Sequence, residues 1–287
     1  MSLPVLTDAR APLTRGVDAV NAHGETESIS IPAERALTVY VDKRELVTLM
    51  TLGAHPEWLV LGYLRNQRLV TELAAVDSIT VDWEVAAAAV KTRAGIADIE
   101  ERTSKRVVTT GCGQGSVFGG LMDEIDTLRL PAAVITQAQL YAIVNAIRTQ
   151  ESTYKSAGSV HACALFEGEQ MRLFVEDVGR HNAIDTIAGW MWLRDGDTPP
   201  AQAADAPRIF YTTGRLTSEM VIKSAQMGVA IVISRSGITQ MGFEIAQRVG
   251  LCTVGRATGR HFLCYTGRER LELQPELAGP RLRSAAA

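Results

Sequence analysis

From Thr136 onward, short apolar runs alternate with amphipathic segments, and this alternation constrains the fold more than any other feature of the chain. Thr136 and Gln139 form a capping box before a helix that carries Leu140, Ile143 and Val144 at helical spacing. Further strands are predicted at residues 160–166, 171–175, 208–212 and 229–234 and around Cys252 and Cys264, with helices at 183–193, 218–227 and 240–249. Strands alternating with helices predict a sheet covered on both faces, an α/β/α sandwich.

The part of the chain before Thr136 has a different pattern. Leu37, Val39 and Val41 alternate with other residues before a turn at 42–44, and residues 46–50 are a second apolar run, which together predict a β-hairpin. Pro56 suits the first turn of a helix. Because strands are also expected at 78–81 and 85–90, this part is predicted to be a smaller α+β domain.

The chain is therefore expected to have four regions. They are a flexible N-terminal tail at residues 1–30, the smaller α+β domain at 31–131, the α/β/α domain at 132–267 and a C-terminal tail at 268–287. The tails are predicted because their residues are polar and mixed, with little periodicity. Residues 195–207, rich in Pro, Ala and Asp, are predicted to be a mobile surface insertion.

Composition narrows the classes of function. With 287 residues, 46% hydrophobic and 21% charged, the chain has the make-up of a globular protein that buries a sizeable core. A net charge of -3 argues against nonspecific binding to nucleic acid or membranes. Because residues 1–10 do not resemble a signal peptide and the four cysteines are widely spaced, we expect a cytoplasmic protein without disulfides.

Cys112 differs from the other three cysteines in its surroundings. It lies between Gly111 and Gly113, just after an apolar run that predicts the end of a strand. Glycines permit an open loop, and the backbone N–H groups of such a loop help to stabilise a thiolate. The alternatives are a reactive thiol and a tight turn that happens to contain cysteine. Cys163, Cys252 and Cys264 occur in short apolar stretches and are expected in the core, all three as small hydrophobic residues.

Four polar segments follow predicted strands of the second domain, at residues 176–182, 213–219, 234–237 and 255–261. In an α/β sheet such segments gather at one edge, where ligands bind. The last segment contains the cluster Arg256, Ala257, Thr258, Gly259, Arg260 and His261. Arginine side chains and glycine amides suit phosphates, so these segments predict an anion or nucleotide site, with a solvated charged turn as the alternative for the cluster.

Individual residues of these segments have competing interpretations. Glu176 and Asp177 are either an acid/base pair or carboxylates that cap a helix or face solvent, since neighbours on a strand point to opposite faces. His181 is either a base or a hydrogen-bonded loop histidine. Thr217 caps the helix that begins at residue 218, in preference to a catalytic role.

His161 and Cys163 share one face of a predicted strand and make up half of a possible metal site. Because the sequence offers no second cluster of Cys or His, a zinc site is not expected.

Three motifs, taken in order, resemble the FdhD family. They are the Cys112-Gly113 loop, the segment Glu176-Asp177-Val178-Gly179-Arg180-His181-Asn182-Ala183 and the segment Gly214-Arg215-Leu216-Thr217-Ser218-Glu219-Met220-Val221-Ile222-Lys223. The likeness runs from about Ile31 to Thr266. Members of this family are formate dehydrogenase accessory sulfurtransferases.

The resemblance implies a function, a fold and site residues. It implies a sulfur carrier that accepts persulfide sulfur from a cysteine desulfurase and passes it to the molybdenum bis-guanine-dinucleotide cofactor before formate dehydrogenase receives it. Cys112 matches the position of the family's persulfide-bearing cysteine, and Arg256 to His261 match the stretch that binds the cofactor. The implied fold is a cytidine-deaminase-like α/β/α domain preceded by a smaller domain, and the implied assembly is a homodimer that binds the GDP-like part of the cofactor.

The sequence departs from the family pattern at several positions. Many members carry a second cysteine three residues after the first, where this chain has Gly115, so Cys112 would act alone. The family often has Ser-Ala-Pro-Thr where this chain has residues 236–239, and Lys where Thr186 stands. It also has Phe and Arg where Arg256 and Thr258 stand. The differences at residues 236–239, at Thr186 and at Arg256 and Thr258 all fall on the predicted pocket.

Two other functions remain as alternatives. A noncatalytic chaperone would bind the guanylated cofactor and carry no sulfur, which the glycine at residue 115 favours. A zinc deaminase would need a His/Cys-x-Glu motif with Pro-Cys-x-x-Cys, and the sequence lacks that pattern. Replacement of Cys112 separates the carrier from the chaperone, because only sulfur transfer depends on the thiol.

Overall fold

The computed structural model describes residues 3–96, 125–198 and 206–280. The strands are β1 (Val5–Leu6), β2 (Thr14–Val20), β3 (Thr26–Pro32), β4 (Arg35–Val41), β5 (Arg44–Thr51), β6 (Val76–Asp82), β7 (Ala87–Thr92), β8 (Ile135–Thr136), β9 (His161–Glu167), β10 (Gln170–Asp177), β11 (Arg208–Thr212), β12 (Ile231–Ser234), β13 (Cys252–Thr258), β14 (His261–Thr266) and β15 (Leu271–Glu272). The α-helices are α1 (Pro56–Asn66), α2 (Gln137–Thr149), α3 (Thr153–Ala157), α4 (Arg180–Asp195), α5 (Ser218–Gln226) and α6 (Gln240–Val249). None of the helices in these ranges has the length and apolar character of a membrane span.

Two features predicted from sequence lie outside the described residues. The loop that carries Cys112 falls within 97–124, and residues 199–205 of the predicted insertion also fall outside. The division into domains near residue 131 stays a prediction.

The first sheet has five strands in the order β1-β6-β7-β4-β5. The predicted hairpin is confirmed as β4 and β5, which pair antiparallel. Asp42 and Lys43 both have positive φ, 47° and 73°, as a two-residue hairpin turn requires. Leu37, Val39 and Val41 are buried against the apolar side of α1, so their alternation in sequence is the inner face of β4.

The second sheet has six strands in the order β10-β9-β11-β12-β13-β14. Strands β11, β12 and β13 are parallel, and β9 is antiparallel to both of its neighbours, β10 and β11. Strand β10 therefore runs in the same direction as β11. As a result, four strands of this sheet end at one edge.

Helices cover the second sheet on both faces, which confirms the predicted α/β/α sandwich. On one face, an apolar cluster joins the sheet to α4, α5 and α6 through residues such as Ile184, Met220 and Ile245. On the other face, Leu140 and Ile143 of α2 pack on a second cluster. Because both faces are covered, β11 and β12 are buried along their whole length.

Helices α1 and α4 make an unusually close contact, which we call the α1–α4 seam. A Cβ added to Gly62 would lie 1.7 Å from the carbonyl oxygen of Asp185, and one added to Gly189 would lie 2.0 Å from the carbonyl oxygen of Trp58. The two backbones touch where these glycines face each other, so no larger residue fits without moving a helix. The seam joins the first sheet to the second.

The prediction of a flexible tail at residues 1–30 is wrong for the described part of that region. Strands β2 and β3 form an antiparallel hairpin, and β1 pairs in parallel with β6. Residues of β2 and β3 are mostly exposed, and their apolar residues alternate over only a short stretch, as at Ile29 and Ile31. Backbone hydrogen bonds form the hairpin, and these do not depend on side-chain polarity.

The predicted C-terminal tail and one helix boundary also need correction. Leu271 is buried, and β15 pairs in parallel with β8, so the region after residue 267 contributes to the core. Helix α4 begins at Arg180, three residues before the predicted start. Gly179 is its N-cap and makes no side-chain cap, so the sequence carries no Ser, Thr, Asp or Asn signal at this boundary.

Candidate functional site

The polar segments that follow β10, β11, β12 and β13 gather at one edge of the second sheet, as predicted from sequence. Backbone hydrogen bonds tie neighbouring segments together: Leu216 N–H donates to Gly237, Arg235 N–H to Thr212 and Arg256 N–H to Ser236. Arg256 has a φ of 51°, a left-handed conformation that turns the chain at this edge. The segments form a connected, shaped surface.

A cavity of about 530 Å³ opens at this edge, on the face covered by α2. We call it the edge cavity. It is lined by Val144, Ile147, Arg148, Ser152, Tyr154, Lys155, Val160, His161, Ala162, Phe174, Glu176, Tyr211, Thr213, Arg235, Ala257, Thr258 and Gly259. Its volume lies in the range of small-molecule and cofactor sites.

The floor of the edge cavity is apolar and aromatic. Tyr211 is almost fully buried, and burial raises its pKa to about 12, so its hydroxyl stays protonated at neutral pH. Val144 and Ala257 belong to the same apolar cluster. Such a floor suits the face of a planar ring.

Cationic side chains stand at the rim of the cavity. Lys155 Nζ lies 3.4 Å from Glu151 and Arg148 donates to the side chain of Asn145 at 2.9 Å. Arg235 is exposed and, among the described residues, its side chain has no hydrogen bond or ion pair. The guanidinium of Arg235 is therefore available to an anionic ligand.

Glu176 supplies the carboxylate in the cavity lining, and both of its carboxylate oxygens accept hydrogen bonds from backbone N–H groups. Its Oε2 and Oε1 accept hydrogen bonds from the N–H groups of Thr153 (2.5 Å) and Tyr154 (3.1 Å), at the start of α3. Glu176 thereby caps that helix and holds Tyr154 and Lys155 at the rim. The structure supports a capping role for Glu176 over an acid/base role.

Asp177 points away from the edge cavity, as alternation on a strand requires. It accepts hydrogen bonds from the hydroxyl of Thr51 (2.5 Å), the side chain of Asn182 (2.9 Å) and the N–H groups of Leu52 and Gly179. Burial raises its pKa, although these donors act in the opposite direction. Asp177 connects the end of β5 to the start of α4.

His181 lies in the first turn of α4 and faces α5 instead of the edge cavity. Its Nδ1 is 3.6 Å from Glu219 Oε2, and burial together with nearby Lys223 and Arg180 lowers its pKa to about 2. The imidazole is therefore neutral at neutral pH. His181 is a buried helix residue, so the description as a loop histidine is wrong.

Lys223, the last residue of the third motif, is a fully buried cation beside His181, and the sequence predicted no role for it. Its Nζ lies 2.8 Å from Asp185 and 3.3 Å from Glu219. Burial alone would lower the pKa of Lys223, but the attraction of these two carboxylates outweighs burial and raises it. Asp185 also accepts a hydrogen bond from Asn66 of α1 at 2.7 Å, which brings this ion-pair network into the α1–α4 seam.

His161 lies at the rim of the edge cavity, while Cys163 lies in the core. Burial, Arg180 and Arg215 lower the pKa of His161. Burial raises the pKa of Cys163 to about 12, and its Sγ is 3.4 Å from the hydroxyl of Thr212. Within the described residues, no three His, Cys, Asp or Glu side chains are grouped as metal ligands.

The predicted cofactor-binding cluster divides between the cavity and its surroundings. Ala257, Thr258 and Gly259 line the edge cavity, whereas Arg256, Arg260 and His261 lie outside the lining. The carbonyl of Arg260 accepts a hydrogen bond from Tyr141 at 3.0 Å, which fixes the β13–β14 turn to α2.

Several residues of the rim carried no signal in the sequence. Arg148 and Lys155 come from α2 and α3, far from the polar segments along the chain.

Thr217 stands at the N-cap of α5 as predicted, but its hydroxyl makes no capping hydrogen bond.

The sequence model described as the FdhD/NarQ family matches residues 32–272. "Sulfur carrier protein FdhD" of Listeria innocua is 29% identical over 250 residues, covering 86% of this chain and 93% of the relative. The protein of that name from Geobacillus kaustophilus is 27% identical over 246 residues, covering 85% and 91%.

A crystal structure shares the fold. It is that of a protein from Desulfotalea psychrophila given the provisional description of formate dehydrogenase accessory protein. The TM-score is 0.70 and the identity 22%, and the match covers 91% of this chain and 100% of the other.

Proposed function

The chain belongs to the FdhD/NarQ family, and we propose from this premise that it carries sulfur as a persulfide on Cys112 and delivers it to the molybdenum bis-guanine-dinucleotide cofactor. The sulfur comes from a cysteine desulfurase, and the sulfurated cofactor serves formate dehydrogenase. The cofactor is cargo in this scheme, so it is a substrate of the carrier. We also propose that the protein acts in the cytoplasm as a homodimer.

The observation that carries the proposal is the composition of the edge cavity. A guanine nucleotide combines a planar ring with phosphates, and the cavity combines an apolar, aromatic floor with cations at its rim. Tyr211 and Val144 provide a surface for the ring, while Arg235 provides a charge-assisted donor for phosphate. The residue types of the cavity thus fit a GDP-like group.

The predicted cluster contributes shape to this site. Ala257 and Gly259 are small and leave room beside the floor, and Gly259 adopts a φ of 58° that few other residues accept. In this proposal the charges come mainly from Arg235, Arg148 and Lys155, on other elements. The differences from the family at Arg256 and Thr258 then alter the border of the site more than its floor.

The proposed sulfur transfer needs little general acid or base catalysis from the protein, because both the attacking and the leaving group are thiolates. The Cys112 thiolate attacks the terminal sulfur of the donor's persulfide, the donor's S–S bond breaks and the donor's cysteine leaves as a thiolate. Cys112 then holds the transferred sulfur until the cofactor accepts it. The chain supplies the thiol and the site that holds the cargo.

The test is peptide mass spectrometry after incubation with an active cysteine desulfurase and cysteine. We expect a mass increase of one sulfur atom on the peptide that contains Cys112, and none on the peptide that contains buried Cys163. If the desulfurase is active and Cys112 gains no sulfur, the carrier function is contradicted. The chaperone alternative, which Gly115 favours, then takes its place.

Cys112→Ser separates the two functions in an activity assay. We expect this variant to bind guanosine diphosphate as the parent protein does and to lose activation of formate dehydrogenase, because only sulfur transfer needs the thiol. Unchanged activation would contradict the carrier function while leaving cofactor binding intact.

A further inference from the structure

Two cysteines away from the edge cavity lie on neighbouring strands. Cys252 begins β13, and Cys264 is in the antiparallel strand β14. Val254 is the register partner of Cys264, and Cys252 is two residues before Val254, so both thiols are on one face of the sheet. Both pack on the apolar cluster beneath α2, and the two thiols are close enough to shift each other's pKa, while the Cys264 thiol also donates to the carbonyl of Thr266 at 3.4 Å.

The surrounding residues hold the two strands together at this point. The hydroxyls of Thr253 and Thr266 are 2.6 Å apart, and Thr266 also donates to the carbonyl of Leu251 at 2.7 Å. A Cβ added to Gly267 would lie 2.6 Å from the Cα of Cys252, so the strand ends are in close contact. The two cysteines therefore lie where β13 and β14 are held closely together, at the root of the β13–β14 hairpin.

The two thiols differ in exposure and in acidity. Cys252 is fully buried, whereas Cys264 is only partly buried. The hydrogen bond from the Cys252 thiol lowers the pKa of Cys264, and the same contact, together with burial, raises the pKa of Cys252. Cys264 is thus the accessible member that ionises first, and Cys252 is a thiol held beside it.

We propose that Cys252 and Cys264 form a peroxide-sensitive dithiol that closes to a cross-strand disulfide. The Cys264 thiolate attacks a hydroperoxide, the O–O bond breaks, hydroxide or alkoxide leaves and Cys264 becomes a sulfenic acid. The sulfur of Cys252 then displaces the sulfenic oxygen, which leaves as water once it takes up the proton of the Cys252 thiol. The two thiols lose two electrons to the peroxide.

The position of the bond gives it a structural consequence. It would join β13 to β14 below the turn that carries Ala257, Thr258 and Gly259, three residues of the edge cavity lining. The proposed disulfide follows from the shared strand face, the interaction of the two thiols and their difference in exposure, and it does not depend on the proposed sulfur-carrier function.

The test is tryptic peptide mapping of the full chain after treatment with hydrogen peroxide. Arg256 and Arg260 lie between the two cysteines and Arg248 precedes both, so trypsin places Cys252 in the peptide 249–256 and Cys264 in the peptide 261–268. A disulfide therefore links two separate peptides, with the loss of two hydrogens. We expect this linked pair after peroxide and its disappearance after reduction.

Cys163 is the internal control. Because burial raises its pKa to about 12, it should be oxidised at least about a hundredfold more slowly than Cys264. The proposal is contradicted if peptides 249–256 and 261–268 both remain fully alkylatable at a peroxide dose that oxidises Cys112. It is also contradicted if Cys163 reacts as fast as Cys264.

Two variants test the order of the steps. Cys252→Ala removes the second thiol, so Cys264 should accumulate as a sulfenic acid that dimedone traps. Cys264→Ser should leave Cys252 reduced, because Cys252 is buried. Dimedone labelling of Cys252 instead of Cys264 would reverse the assigned roles and overturn the mechanism; circular dichroism confirms that each variant is folded.

Discussion

The α1–α4 seam and the edge cavity both contain several charged residues, but the charges are buried and paired in the seam, whereas the cations at the cavity are exposed. In the seam, Lys223 is fully buried and contacts two carboxylates, and the helix backbones touch through glycines. At the cavity, Arg235 is exposed and has no ion pair among the described residues. The difference separates charges that hold the fold together from charges that remain available to a ligand.

Shifted pKa values alone would point to the seam and not to the edge cavity. His181 and the ion-pair network of the seam have shifted pKa values, although the seam lies on the opposite face of the sheet from the cavity. A structural ion-pair network perturbs pKa values as strongly as a catalytic site does. The availability of a charge to solvent distinguishes the two regions better.

The sharpest test of the seam is Gly189→Ala. The added methyl would lie 2.0 Å from a backbone oxygen of Trp58, so the helices must separate. We expect a loss of at least about 4 kcal/mol in the free energy of unfolding, or no folded protein, measured by urea denaturation. The control is Gly16→Ala, where no atom lies within 4 Å of the added Cβ and we expect a change within about 0.5 kcal/mol.

Lys223→Met removes the cation of the seam and leaves Asp185 buried without its partner. We expect a loss of about 3 kcal/mol at neutral pH. Because burial raises the folded-state pKa of Asp185 above its unfolded value, the loss should shrink as acid protonates this carboxyl. Thermal unfolding at several pH values measures both effects.

The matched control for Lys223 is Lys91→Met. Lys91 Nζ is 2.9 Å from Asp77, but this ion pair is on the surface. Its removal should leave the unfolding midpoint nearly unchanged. Equal losses for the two variants would contradict the distinction between the seam and the surface.

Arg235→Ala tests whether the cavity cation is available to a ligand. We expect about tenfold weaker binding of guanosine diphosphate in calorimetry, with unchanged stability, because a charge-assisted hydrogen bond is lost. Arg215→Ala makes the same change in net charge at the same edge but outside the cavity lining. Similar loss of binding in both variants would indicate a general charge effect instead of a specific contact.

His181 gives the smallest effect, in the pH dependence of stability. Its folded pKa is lowered to about 2 from 6.5, so below pH 6.5 the unfolded state binds the extra proton and the fold loses stability. Between pH 6.5 and 5.5 the free energy of unfolding should therefore fall by about 1 kcal/mol less in His181→Gln than in the parent protein. An unchanged pH profile in the variant would show that another group causes the acid loss.

Local pattern was enough to predict much of the second domain. The capping box at Thr136 and the apolar strands identified the sandwich, and the positions of the polar segments identified the edge where the cavity lies. The hairpin of β2 and β3 was missed because most of its residues are exposed and its few apolar residues alternate over only a short stretch, so backbone pairing forms it with little apolar signal. The start of α4 was missed because Gly179 provides no capping side chain.

The candidate site was predicted only in part. Ala257, Thr258 and Gly259 are in the cavity lining, whereas Arg148 and Lys155 were not predicted because α2 and α3 are distant from that cluster in the chain. Glu176 and His181 belong to one sequence segment, but Glu176 lies at the cavity and His181 at the seam. Strand alternation and the start of α4 send their side chains to opposite faces of the sheet.

The sequence by itself determined the main strands and helices of the second domain, its α/β/α layering and the membership of the family, because these follow from local periodicity and from long motifs. Tertiary structure alone decided which charges are paired and which are open. Burial and distance set that outcome: Lys223, in the middle of α5, contacts Asp185 in the core, whereas Arg235, the residue after β12, faces solvent.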